Sequence, residues 1–352
     1  VVQGASTITR TFDNAGNLLG ESTAGGTLNG LSVNSTVDSL LRRSTVNFKN
    51  GSTVLGTPTY PYDNASRLQS VTDGTYSASY SYLANSPLWA TLTFRTSGTT
   101  RLTTQRQFDR LNRLQSIIST PSAANQALPS YSYAVNDANQ RVRAILGDSS
   151  YWEYRYDSLG QVISGKHYFD DGTPVPGQQY EYGFDDIGNR KTTGTKFGGD
   201  SNGQNLRSAS YTPNALNQYT SRTVPGGIDI LGLASASSSV AVNGLAADYR
   251  RGEYFQKSLS IANGSAAVWQ GVSTVVGSTT VSGNVFVPQT PETFTYDSDG
   301  NLTQDGRWTY TWDGENRLIG MESLTTAPSG SKRKLLFEYD AGSRRTCKKV
   351  FV

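Results

Sequence analysis

Residues Phe294-Thr-Tyr296-Asp297-Ser-Asp-Gly300-Asn301-Leu302-Thr303, followed by Arg307-Trp308-Thr-Tyr310-Thr-Trp312-Asp313-Gly-Glu-Asn316-Arg317-Leu318, decide the fold. Aromatics alternate with threonines, the period-two pattern of a strand with one face buried. Each run ends in Tyr-Asp or Trp-Asp, then two small or polar residues and a Gly or Asn. An Asp at a strand end accepts hydrogen bonds from nearby backbone amides, and Gly or Asn tolerates positive φ. The unit reads as strand, tight turn, strand.

The unit recurs. Working outward, it stands at Phe12-Asp13, Tyr62-Asp63, Phe108-Asp109, Tyr156-Asp157, Phe184-Asp185 and Tyr339-Asp340, each followed by the same turn spacing. Weaker copies begin at Val135-Asn136 and Tyr211, and a decayed one at Val37-Asp38. Many intervals are about twenty to thirty residues, the range of stacked or spiralling arrays. Asp13, Asp63, Asp109, Asp157, Asp185, Asp297, Asp313 and Asp340 recur too often for catalysis and are expected to hold turns. One hairpin cannot bury its aromatic face alone. Hairpins joined side by side pair their backbones and line up their aromatics.

The motif resembles the YD repeat of the Rhs and teneurin proteins. The pairing of Tyr296–Asn301 with Tyr310–Leu318 is closest to bacterial Rhs sequences, and the likeness covers most of the chain outside about 225–291. It implies an all-β fold, a long antiparallel sheet spiralling into a hollow shell around a C-terminal cargo. It also implies a non-catalytic encapsulating scaffold in a secreted or surface-exposed bacterial protein, in a toxin-delivery or cell-contact setting. The implied partner is a C-terminal cargo or plug domain of the parent. The Pro, Asp and Gly motifs of the family's plug region are not found here, which puts autoproteolysis and toxin release in doubt.

From Pro225 the aromatic repeat gives way to Ile228-Asp-Ile230, Val240-Ala-Val242, Tyr254 to Ile261, Val268-Trp269, Val272 to Val276 and Val285-Phe-Val287. Turn signals every eight to twelve residues suggest a small β-sandwich. The expected division is a repeat segment over 1–224, an immunoglobulin-like sandwich over 225–291, and a repeat continuation over 292–352. Lys196 to Asn205, rich in Gly, Asp, Ser and Asn, reads as a loop. Val37 to Arg43 is the nearest approach to a helical pattern, and it is short.

The 352 residues carry 31 Lys and Arg against 28 Asp and Glu, a net charge of +3. That balance does not suggest a nucleic-acid binder. The single Cys347 forms no internal disulfide and no thiolate metal cluster, so no metal or cofactor is expected. No apolar run reaches membrane-spanning length. The chain begins without Met and stops inside a strand-like run, so a parent longer at both ends is expected. Open strand edges of a truncated sheet would invite self-association.

Two other functions have candidate residues. Exposed Trp stacks on sugars, which makes Trp89, Trp152, Trp269, Trp308 and Trp312 candidates for glycan binding, with repeat packing as the plainer role. For an enzyme, no nucleophile elbow, phosphate loop or zinc-protease motif is present. The lone His167 would have to serve any Ser-His-Asp site. Glu153 and Glu181 occupy the same position in successive repeats. On neighbouring strands in register they would stand about 5 Å apart, near the spacing of a retaining glycosidase pair. Solvated carboxylates on the outer face are the alternative. Asp170 and Asp171 in a Gly/Pro loop could offer hard oxygen ligands to Ca²⁺, although too few for a site.

Overall fold

A computed structural model describes residues 2–3, 6–123, 130–190 and 195–352. Among them the fold is all-β, with antiparallel sheets, no α-helix and one 3₁₀ turn at Ser329–Ser331. The chain separates into two compact units. One comprises 1–148 with 338–347; the other comprises 149–337 with 348–352.

The first unit is built almost wholly of consecutive hairpins. Its strands pair in chain order, from Ser6–Phe12 with Leu18–Ala24 through Leu31–Val37, Arg43–Asn50 and Thr53–Gly56. Thr59 bridges both Thr45 and Thr72 and so links this group to the next. Ser70–Asp73, Tyr76–Tyr82, Trp89–Thr96, Thr99–Phe108, Leu114–Pro121, Tyr131–Val135 and Arg141–Leu146 then follow, each paired with the last. The C-terminal piece of this unit sets the Asp340 turn against the first hairpin. Arg344 there bonds both Asp340 Oδ2 (2.6 Å) and Glu21, which also accepts from Arg10 Nε (2.9 Å).

In the second unit, Tyr151–Tyr156, Val162–Tyr168, Pro174–Glu181, Thr195–Gly198 and Leu206–Ala209 pair in the same sequential manner. Thr195–Gly198 corrects the reading of 196–205 as a loop. Lys196, Phe197 and Gly198 are in the ladder, and Asp200 closes a regular turn onto Leu206–Ala209. The last repeats, Thr295–Tyr296, Leu302–Gln304, Trp308–Trp312 and Leu318–Ser323, continue into Lys334–Tyr339.

Residues 225–291 form two further sheets. Gly227–Leu233 pairs with Tyr254–Ser260, which pairs with Tyr249–Arg251. Val240–Val242 pairs with Leu245–Ala246 and with Val268–Val276, which pairs with Thr279–Val287. Both sheets feed one apolar cluster: Ala234, Val240, Val242, Phe255, Leu259, Ile261 and Val287 are buried, with Ile228, Ile230, Val268, Val272 and Val276 against them. The block leaves and returns at one neck. Tyr219–Arg222 pairs with Glu292–Thr293, and Arg222 bonds the buried Glu292 (2.5 Å). Asn263 Nδ2 donates to the carbonyls of Val224 and Pro288.

Candidate functional site

The feature repeated most often is the turn. In each copy the leading Asp receives a backbone bond from the residue three on, and its own N–H donates to the carbonyl four on, as from Asp63 to Arg67 and from Asp313 to Arg317. One carboxylate oxygen accepts the amides of the second and fourth residues: Ala65 and Arg67 on Asp63 (2.9 and 2.9 Å), Glu315 and Arg317 on Asp313 (2.9 and 3.0 Å). The other oxygen accepts from the side chain of the fourth residue. Asn17, Arg113, Gln161, Asn189, Asn301 and Arg344 make that bond at 2.9, 2.6, 3.0, 3.0, 3.1 and 2.6 Å. The third residue has positive φ, from Asn316 at 57° to Gly188 at 90°. The residue before the Asp pairs with the one five beyond it, as Phe12 with Leu18, and the register then slips by one. This is a three-residue hairpin loop with a bulge at its exit.

The fourth side chain also ties one turn to the next. Arg42 Nη1 reaches Ser66 Oγ (3.0 Å), Arg67 Nη1 the Ser86 carbonyl (2.8 Å), and Arg113 Nη1 Asn139 Oδ1 (3.0 Å). Asn189 and Asn301 reach Asn217 and Asn316 (3.3 and 2.8 Å). Arg42 and Arg67 each lie over a tyrosine ring, Tyr62 and Tyr82, at 4.5 Å. Guanidinium, carboxylate and ring thus form one repeated clasp. Backbone N–H donors and the paired side chains hold the carboxyls of Asp63, Asp109 and Asp313 below the ordinary carboxylate range.

The structure separates Glu153 from Glu181. Their strands are not neighbours, so the condition for a close pair is not met: Val162–Tyr168 runs between them, with Lys166 opposite Glu153 and Ser164 opposite Glu181. The two glutamates share a face, but two strand spacings, roughly 9.5 Å, part their strands. That exceeds the ~5 Å of a retaining pair. Both line a cleft of about 450 Å³ with Arg155, Lys166, Tyr168 and Lys196. Lys166 Nζ donates to Glu181 Oε1 (2.8 Å), and Lys196 lies 3.7 Å from its other oxygen. The Lys166 hydrogen bond lowers the Glu181 pKa, which favours a standing carboxylate rather than a proton donor.

His167 projects from the opposite face. Its ring nitrogens contact Gln178 Oε1 (3.0 Å) and Ser150 Oγ (3.1 Å), and it stacks on Trp152 with centroids 4.7 Å apart. Trp152 also stacks with Tyr154 and Tyr180. Arg106 covers Trp89 at 3.7 Å, Arg307 lies 4.8 Å from Trp308, and Trp312 Nε1 donates to the Leu302 carbonyl (2.8 Å). Trp269 has Arg307 at 5.7 Å. All five tryptophans are half-buried. Asp170 and Asp171 are both taken by Arg251, at 2.9 Å each. Among the described residues no group of three or more His, Cys, Asp or Glu is placed to hold a metal.

Sequence reasoning missed several polar joints. Arg207 pairs with Asp229, which also accepts from Gln256 Nε2 (2.9 Å). Arg222 pairs with Glu292, and Tyr254 Oη donates to the Pro176 carbonyl (2.6 Å). These residues are far apart in sequence, so only the fold brings them together. The Asp200 turn carried a signal, the same Asp-x-x-Gly-x spacing, but lacks the aromatic before it.

No protein-family model matches the chain, and no curated protein matches it. Solved structures similar to it include a crystal structure of TcdB2-TccC3-Cdc42, at 13% identity and TM-score 0.43, covering 96% of this chain and 19% of that one. The Photorhabdus luminescens Tc holotoxin pore is similar at 13% identity and TM-score 0.39, covering 97% and 19%. A porin-like protein from Bacteroides uniformis is similar at 11% identity and TM-score 0.26, covering 90% and 92%. The chain therefore spans less than a fifth of the length of the toxin chains.

Proposed function

We propose that this chain is a non-catalytic wall segment of a Rhs-type encapsulating scaffold, belonging to a secreted or surface-exposed protein that carries a C-terminal cargo. The observation that supports it is the clasp that joins turn to turn. Arg42 to Ser66, Arg67 to Ser86 and Arg113 to Asn139 commit the most repeated polar residues to building a sheet rim. A sheet made this way extends by adding hairpins, which suits a wall. The 225–291 block, with its own core and its single neck, is read as an inserted immunoglobulin-like module.

The test is protection. The parent protein is treated with a non-specific protease, with its cargo segment either following this wall or expressed without it. The expected result is that the cargo is cut at least about tenfold more slowly behind the wall, since cleavage follows the accessible fraction. Equal cleavage rates would reject the encapsulating role.

A further inference from the structure

We propose that the strand Thr279–Val287 is a dimerisation edge, pairing antiparallel with the same strand of a second copy about a two-fold axis at Gly283. This strand is the outermost of its four-stranded sheet and, among the described residues, pairs with Val268–Val276 alone. Residues 279–285 are all exposed. It contains no charge and no proline. Natural edges are usually blunted by Lys, Pro, bulges or shortness, and a long uncharged edge left open is a template for pairing.

The direction of its backbone groups follows from its neighbour. Ser273 donates its N–H to Asn243 Oδ1 (2.8 Å) and its carbonyl accepts the Asn243 N–H (2.8 Å), so both Ser273 groups point away from the edge strand. Antiparallel ladders alternate. Val272 and Thr274 therefore bond toward their partners Gly283 and Val281. The N–H and C=O groups of Thr280, Ser282 and Asn284 are left facing the free side.

Side chains select a second copy as the occupant. Val281 and Val285, 66% and 38% exposed, share strand parity with the buried Val287 and so lie on the core side of the sheet. A two-fold at Gly283 sets Val281 against Val285 twice and Ser282 against Asn284 twice. Outward hydrogen-bonding residues meet their own kind, valine covers valine, and no charge opposes a like charge. Such an interface uses one patch on both copies and closes on itself, so it ends at a dimer.

The full 352-residue chain is tested by sedimentation equilibrium across concentration. The wild type is expected to move from 38.0 kDa to twice that mass. A Cβ added at Gly283 meets nothing within 4 Å in the single chain, but in the dimer two such side chains face each other. Gly283→Lys and Gly283→Glu are each expected to weaken the dimer by about tenfold or more, and an equimolar mixture of the two to restore it. Ser282→Pro removes an outward N–H without touching the internal ladder, and is expected to be monomeric with an unchanged far-UV spectrum. It decides the matter if the Gly283 variants misfold. A wild type that stays monomeric overturns the proposal. So does dimerisation of these variants at wild-type strength, or a Lys/Glu mixture that fails to recover.

Discussion

Asn136 and Gln140 show what the turn asks of its side chains. Where the leading residue is an amide rather than an acid, the fourth residue supplies the acceptor: Asn136 Nδ2 donates to Gln140 Oε1 (2.8 Å), and Asn214 Nδ2 to Gln218 Oε1 (2.9 Å). The backbone bonds to Oδ1 are kept in both. These copies look weak in sequence because Asp is missing, yet they are complete turns in space. The pairing rule predicts a coupled effect. Asp109→Asn gives up the acceptor of Arg113 Nε, and Arg113→Gln added to it rebuilds the amide pair. In thermal melts the single variant is expected below wild type and the double above the single. Recovery stays partial because Arg113 also bonds Asn136 and Asn139. A double variant no more stable than the single would refute the rule. The pH dependence follows from the same carboxylates. Asp63, Asp109 and Asp313 have folded pKa values below the ordinary carboxylate value, so each contributes stability that is present above the unfolded pKa of about 3.9. That stability is lost as pH falls through the folded value. The melting temperature should therefore drop on acidification below about pH 4, and drop less steeply in Asp109→Asn. Equal slopes for the two proteins would remove Asp109 from the account.

At the scale of the hairpin, the third turn residue must take a left-handed conformation. Gly16, Gly160, Gly188 and Gly300 do so without a Cβ penalty, and Asn112, Asn139, Asn217 and Asn316 at little cost. Leu41 does so at φ 60° while 66% exposed, with little packing to offset the strain. Leu41→Gly is expected to raise stability by about 0.5–1 kcal/mol, after subtracting the extra freedom glycine has when unfolded. Urea titration measures it, and a lower midpoint at unchanged slope would count against the turn geometry. Hairpins were legible in the sequence because their signals are local: the Asp, the amides it accepts, and the positive-φ residue lie within five positions. Val37 to Arg43 shows the limit of pattern reading. It mimics a helical spacing, but Asp38 accepts the amides of Leu40 and Arg42 and closes a turn. Strand adjacency was not legible at Glu153 and Glu181. Equal position in successive repeats places two residues on one face, but each repeat contributes two strands, so the second strand of the first repeat comes between them.

Across the whole molecule, burial is unequally shared. In the hairpin strands of the first unit the buried apolar side chains are isolated, one to a strand: Ile8 at 4%, Val46 at 3%, Ala144 at 6%. In the 225–291 block they are contiguous, and Val242 at 0%, Phe255 at 5% and Ile261 at 5% belong to one cluster fed by two sheets. The change was visible in the sequence as a switch from aromatic-threonine alternation to Val, Ile and Leu segments. The polar joints at Glu292 and Asp229 were not, since their partners Arg222 and Arg207 lie 70 and 22 residues away. This inequality sets the order of local opening. Exposing a half-covered strand face costs little apolar burial, at about 25 cal/mol per Å², whereas opening the block exposes a continuous core. Amide hydrogen exchange is therefore expected to be slowest in Val240–Val242 and Tyr254–Ser260, and faster in Tyr76–Tyr82 and Tyr131–Val135 despite their intact ladders. Phe255→Ala, which empties about one ring from that core, should cost about 3–5 kcal/mol and speed exchange throughout the block, while leaving Tyr76–Tyr82 unchanged. If exchange in the block and in Tyr76–Tyr82 accelerated together, the two regions would open as one cooperative unit, and the separate core would not be what stabilises the block.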